Sequence, residues 1–198
     1  MKKIFTHPGT LIERIGAQAF KDSRLEYFDF TNSIVKTIES EGFMNCSLKA
    51  KDYDYRCELS YGLTKLGQSA FNGGGGNSNM FADTSPMTIV IPGSITLMGP
   101  NAIANFGKAQ TVRVQLGAPG SPVGEMTFDV TSTQSVIHSN ANSPNATKDI
   151  KYIDFYTNIY DIKSKIGDRY VTQMLCGSSY TPEATNPIVT ISFIKEGA

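Results

Sequence analysis

Between Gly67 and Thr147, a stretch of 81 residues, the sequence holds only five charged side chains: Asp83, Lys108, Arg113, Glu125 and Asp129. Residues 1–66 hold nineteen and residues 148–198 hold twelve. The hydrophilic positions of the middle are filled instead by Ser, Thr, Asn, Gln and Gly. Uncharged polar side chains lose far less on desolvation than Lys or Glu, so such a segment is suited to being covered. The same stretch carries six of the nine prolines and eleven of the eighteen glycines, which bound short apolar runs. Strands at close spacing with Gly/Pro turns predict an all-β module.

The runs at 88–91 and 94–97 flank Pro92-Gly93, those at 110–116 and 125–131 flank a Gly/Pro loop, and 134–137 follows. Beyond a polar loop, 150–156, 169–176 and 188–194 read as further strands. Earlier, Tyr53, Tyr55, Cys57, Leu59 and Tyr61 alternate with Asp52, Asp54, Arg56, Glu58 and Ser60. This period of two is the clearest strand signal in the chain. Helices are expected over 10–22, where Leu11, Ile12, Ile15, Ala19 and Phe20 follow a Thr10/Glu13 capping box, and over 33–41, stopped by Gly42. A third short helix is expected over 158–166. No self-similar period stands out, which argues against a solenoid or propeller. The fold expected is mainly β: an antiparallel sandwich or barrel with these short helices, forming one domain over 1–198, with flexible loops near 72–79 and 138–148.

Composition removes several functions. Lys+Arg and Asp+Glu balance at 18 each and the pI is about 6.7, so no basic field exists for direct binding of nucleic acid. Hydrophobic content of 40% is too high for a disordered chain. Only Ile4 and Phe5 follow the basic start, too few for the apolar core of an export signal, so synthesis in the cytoplasm is expected. No apolar run approaches the roughly 20 residues of a membrane-spanning helix.

No catalytic or metal-binding pattern emerges, and no cofactor is expected. Gly73–Gly76 lacks the Lys and Ser/Thr that complete a phosphate loop. His7 and His138 are the only histidines, and Cys176-Gly177-Ser178-Ser179 is not a nucleophile elbow. Cys46, Cys57 and Cys176 match no zinc or CxxC spacing and read as small buried residues. The tyrosines carry more: Tyr53, Tyr55 and Tyr61 fall on one strand face, and Tyr152 and Tyr156 head a second group. These rings read first as filling the core of a sandwich that has no Trp, and next as candidates for an interface or ligand platform, because the ring is apolar and the hydroxyl tolerates water.

The first expectation of function is a non-enzymatic structural subunit of a homo-oligomeric assembly, a virion component such as a capsid, spike or tail-tube protein. Its partners would be copies of itself and other assembly subunits. The second is a ligand- or carbohydrate-binding β-module using the tyrosines. The third is a hydrolase built on Cys176 and His138.

Overall fold

A computed structural model of the chain describes residues 2–30, 32–48, 56–73, 87–104, 112–124, 127–128, 137–138, 150–157 and 190–195. The backbone winds through successive coils of short strands. Coil 1 holds β1 (Lys3–Phe5) and β2 (Arg14–Ile15), and coil 2 holds β3 (Tyr27–Asp29) and β4 (Thr37–Ile38). Coil 3 holds β5 (Arg56–Glu58), β6 (Lys65–Leu66) and β7 (Phe71–Asn72). Coil 4 holds β8 (Met87–Ile91), β9 (Leu97–Met98) and β10 (Ile103–Ala104). Then come β11 (Val112–Leu116), β12 (Thr127–Phe128), β13 (Ile137–His138), β14 (Ile150–Thr157) and β15 (Thr190–Lys195).

Each strand pairs with its counterparts in adjacent coils, and every strand pairing is parallel. Two five-stranded sheets result, β15-β14-β11-β8-β5 and β12-β9-β6-β4-β2, with β13-β10-β7 and β1-β3 beside them. This is a parallel β-solenoid. The expectation of an antiparallel sandwich or barrel is therefore overturned, and so is the argument against a solenoid. Antiparallel neighbours can be joined by hairpins of a few residues, whereas parallel neighbours need a long connection. Here that connection is one coil: Thr6 bonds Asp29 23 residues on, Thr64 reaches back 28 to Lys36, and Thr96 reaches back 32 to Thr64.

No helix occurs among the described residues. Residues 10–22 instead contain a bridge from Thr10 to Ser33, then β2 and a turn, and residues 33–41 repeat that sequence with Ser33, β4 and a turn. Gln18, Glu41, Ser69 and Asn101 all have φ between 50° and 59°. They occupy one position in four coils, since Gln18, Glu41 and Ser69 donate their N–H to Ser40, Gln68 and Pro100 of the next coil. A left-handed residue costs a non-glycine about 1–2 kcal/mol and ends any helical run, so the capping-box pattern cannot propagate. Residues 158–166 lie outside the described residues.

What repays that strain is the residue two places later. Phe20, Phe43, Phe71 and Ile103 turn inward one above another, bonded by Phe20 N–H to Gly42, Phe43 N–H to Ala70 and Phe71 N–H to Ala102. Phe20 and Phe43 stack at 5.1 Å, and Phe43 and Phe71 at 5.1 Å with planes only 7° apart. Phe28 adds a ring 4.7 Å from Phe43, with Phe30 5.1 Å from Phe28. Parallel columns run Ile15, Ile38, Leu66, Met98 and Ile12, Val35, Leu63, Ile95. Coils approach closely at the turns: a Cβ on Gly67 would sit 2.6 Å from Ser40 N, and one on Gly99 2.7 Å from Gln68 N.

The charge deficit now has a physical account within one chain. Of residues 67–147 whose exposure is described, 21 of 36 are buried, against 15 of 55 in residues 2–66. The described part of the charge-poor stretch is therefore largely the interior of the solenoid. Even the outer face of the longer sheet is covered at Val90, Gln115 and Asp154, which alternate with the core residues Ile89, Ile91, Val114 and Leu116. Asp154 pairs with Arg113, and Gln115 Nε2 donates to Gly117 O at 2.9 Å. Of the predicted loop at 72–79, Asn72 and Gly73 are buried, with Gly73 N–H bonded to Ala104; its remainder and 139–148 lie outside the described residues.

Candidate functional site

The side of the solenoid that carries β2, β4, β6 and β9 is dressed by ionic rungs between coils. Glu13 pairs with Lys36 at 3.6 Å, Arg14 with Glu39 at 3.2 Å, and Glu39 also reaches Lys65 at 3.9 Å. Lys21 and Gln18 both bond Glu41, at 2.7 and 2.8 Å. The Lys21 ammonium holds the Glu41 carboxyl below its usual range, and Glu41 raises Lys21 in turn. In coil 4 the corresponding positions are Thr96, Leu97 and Asn101, so the ladder loses its charge. Exposed pairs of this kind contribute little each, about 0–1 kcal/mol. Their main effect is to select which coil edges fit together.

Alongside the rungs runs an apolar ridge. The Thr10–Ser33 bridge sets Leu11 beside Ile34 in the next coil, and Ser60 Oγ donates to Ser33 O at 3.3 Å, which brings the turn that carries Tyr61 against coil 2. Leu11 is 81% exposed, Ile34 40% and Tyr61 65%; Phe5 and Ile12 are the other large exposed hydrophobics among the described residues. Tyr61 is held from two sides. Its hydroxyl lies 3.4 Å from Glu58 Oε2, and Ser94 Oγ sits 2.8 Å from its carbonyl and 2.7 Å from that of Leu63. A tyrosine fixed at its backbone and open at its ring loses little conformational entropy on being covered.

Of the tyrosines singled out from sequence, Tyr61 is thus the exposed one in a described setting. It lies in a turn beyond β5, not on the strand face expected for it. Tyr53 and Tyr55 lie outside the described residues. Tyr152 and Tyr156 belong to β14, three coils on from β5: Tyr152 is opposite Arg113 and Thr190, and Tyr156, half-buried, accepts Val123 N–H at 2.8 Å. Leu11 and Ile34 escape the sequence reading because 10–22 and 33–41 both read there as helices. Their 23-residue separation, shared with Asp22–Asn45 and Ser23–Cys46, is the signal that finds them.

Among the described side chains the cysteines form no site. Cys46 is free and buried, which pushes its thiol up to about 11, and it donates to Phe20 O at 3.0 Å. A Cys46–Cys57 disulfide is absent. Cys57 lies in β5 and Cys176 outside the described residues. No group of three or more His, Cys, Asp or Glu among the described residues could hold a metal ion.

Residues 3–75 match the model of a family described as the BspA type leucine rich repeat region, in six copies. That covers little more than a third of the chain, the part containing coils 1 to 3 and the ridge. No curated protein and no solved structure matched the chain. The chain is a β-rich repeat protein. The expectation of a virion component, whether capsid, spike or phage tail, built on a β-sandwich is corrected accordingly: the match is to a leucine-rich repeat and the fold is a solenoid.

Proposed function

We propose that this repeat protein is a binding module that docks a partner protein across the ridge Leu11–Ile34–Tyr61. The observation that carries the reading is that three successive coils each leave a large apolar side chain exposed on this side, Leu11 and Ile34 one step after the bridged Thr10 and Ser33 and Tyr61 in the turn of the coil beyond, beside an ionic ladder. An apolar centre with a charged, solvated margin is the usual anatomy of a protein interface, and tyrosine is enriched among the residues that dominate its energy. Stacked repeats supply what such a surface needs, namely rigid elements holding side chains at fixed spacing.

Photo-crosslinking tests this. A photoreactive amino acid replaces Tyr61 in one variant and Thr96, exposed one coil further along the same side, in another. Exposure to extract of the source cells should give a discrete protein adduct from position 61, lost when Leu11→Lys and Ile34→Lys are added. Equal adducts from both positions, or binding to a glycan array that disappears with Tyr61→Ala, would refute protein docking at the ridge.

A further inference from the structure

Coil 3 carries the one Asn-Gly dipeptide of the chain, Asn72-Gly73. Of all dipeptides this is the one most prone to lose its side-chain amide, because a glycine puts no side chain in the way of attack by its own backbone nitrogen on the asparagine before it. Here Asn72 ends β7, inside the charge-poor stretch, and both residues are buried, Asn72 at 8% exposure.

The peptide unit between them is clamped from both neighbouring coils. Its carbonyl, Asn72 O, accepts Asn45 N–H of coil 2 at 2.8 Å, and its N–H, on Gly73, donates to Ala104 O of coil 4 at 3.0 Å. The side chain is held as well, with Asn72 Nδ2 donating to Ser69 Oγ at 3.3 Å. One residue earlier, Phe71 is buried in the aromatic column and its own N–H donates to Ala102 O at 2.7 Å. For Gly73 N to reach Asn72 Cγ this unit has to rotate, which breaks both clamps and unseats Phe71. The closed coil therefore blocks the reaction and an opened coil permits it. Stacked repeats open in segments, so coil 4 can lift from coil 3 without unfolding of the whole chain.

We propose that Asn72 is a conditional modification site, converted by water to aspartate or isoaspartate when coil 4 lifts from coil 3, and that the product keeps the two coils from closing again. In the opened coil a base takes the Gly73 amide proton and the nitrogen attacks Asn72 Cγ. The new C–N bond closes a five-membered imide as the Cγ–Nδ2 bond breaks, and ammonia leaves with that proton. Water then adds to one imide carbonyl: breaking the bond to Cγ gives aspartate, and breaking the bond to the main-chain carbonyl gives isoaspartate. Water enters and ammonia leaves, with no change of oxidation state. Either product puts a carboxylate where a neutral amide stood, opposite the fully buried Ala104, and charge in so covered a position is costly. Isoaspartate also routes the backbone through Cβ, which lengthens β7 and shifts its register against Ile103 and Ala104.

The test incubates the full chain in mildly alkaline buffer, folded and in urea, and follows the amide-to-acid mass shift at position 72 by peptide mapping. Conversion should be at least about tenfold slower in the folded chain, tenfold corresponding to ~1.4 kcal/mol of opening. Gly99→Ala crowds Gln68 N from coil 4, and Ser69→Ala removes the side-chain bond. Each should speed conversion of the folded chain, Gly99→Ala by about tenfold, and leave the rate in urea unchanged, because the rate reports the open population when opening is fast relative to the chemistry. Circular dichroism confirms that both variants start folded. The aged chain should unfold at lower urea than fresh protein, while an Asn72→Gln chain aged beside it keeps its midpoint. Equal rates in the folded and unfolded chain, variants that leave the folded rate unchanged, or an equal loss of midpoint in Asn72→Gln overturns the proposal.

Discussion

Replacing Phe43 by Ala should destabilise the solenoid far more than replacing Phe20, although both stand in one column. Phe43 is fully buried and packs against Phe20 at 5.1 Å, Phe28 at 4.7 Å, Phe71 at 5.1 Å and Phe30 at 6.0 Å. Truncating a buried Phe costs about 3–5 kcal/mol through lost transfer energy and the cavity left behind. Each aromatic pair adds roughly 0.5–1.5 kcal/mol beyond its area. Stacked coils cannot collapse sideways into the gap, because their backbones are bonded above and below, so the expected loss is near the top of the range, ~4–5 kcal/mol. Phe20 is only half covered and stacks on Phe43 from the coil 1 side, so its loss is expected at about half that or less. Urea unfolding followed by far-ultraviolet circular dichroism measures both. Because repeat arrays can unfold in segments, the comparison should use the midpoint of the transition that covers the N-terminal coils. Equal losses, or a larger loss for Phe20, would refute the stacking order, because a column less covered at coil 1 requires this gradient.

Two further outcomes follow from the same geometry. Gly99→Ala would place a Cβ 2.7 Å from Gln68 N, a backbone atom that cannot swing aside, and should lower stability by about 1–3 kcal/mol; Gly124→Ala, where a Cβ meets nothing within 4 Å, serves as the control in a thermal melt. The Glu41 carboxyl is held below its ordinary value of 4.5 chiefly by its hydrogen bond from Lys21, so its contribution is present above that pH and fades as pH falls through the lowered folded value. Lys21→Met should therefore flatten the acid side of the stability–pH profile below about 4.5, and an unchanged profile would show that the pair is not coupled to folding.

Strand content was legible in the sequence because Gly/Pro punctuation and β-branched runs act locally. The expected run at 88–91 lies within β8, and those at 150–156 and 188–194 overlap β14 and β15. The two helices were misread because a coil corner mimics a helical face. Ile12, Ile15 and Phe20 point inward around three bends of the chain, and their spacing of three and five residues resembles the stripe of an amphipathic helix. The distinguishing evidence was long-range. Ile12, Ile15, Phe20 and Leu25 recur as Val35, Ile38, Phe43 and Leu48, a 23-residue step that keeps chemical class at all four positions and identity at three. The step then stretches to 28 and 32 residues in coils 3 and 4, so a search for one fixed period averages the signal away.

The same stretching explains why the charge-poor middle suggested an external partner. In coils 1 and 2 the outward positions carry Glu13, Arg14, Lys36 and Glu39, and charge marks the surface reliably. In coil 4 the corresponding surface positions are Thr96 and Leu97, while Val90, Gln115 and Asp154 are covered although they alternate with core residues on their strands. A strand buried on both faces has little place for unpaired Lys or Glu, whatever lies outside the molecule, because each buried charge needs a partner as Asp154 has in Arg113. Charge depletion measures desolvation without saying which atoms exclude the water. In this chain its own coils do so over more than half of the described residues of the stretch, whereas in the charged N-terminal part exposed apolar side chains and ionic rungs lie side by side.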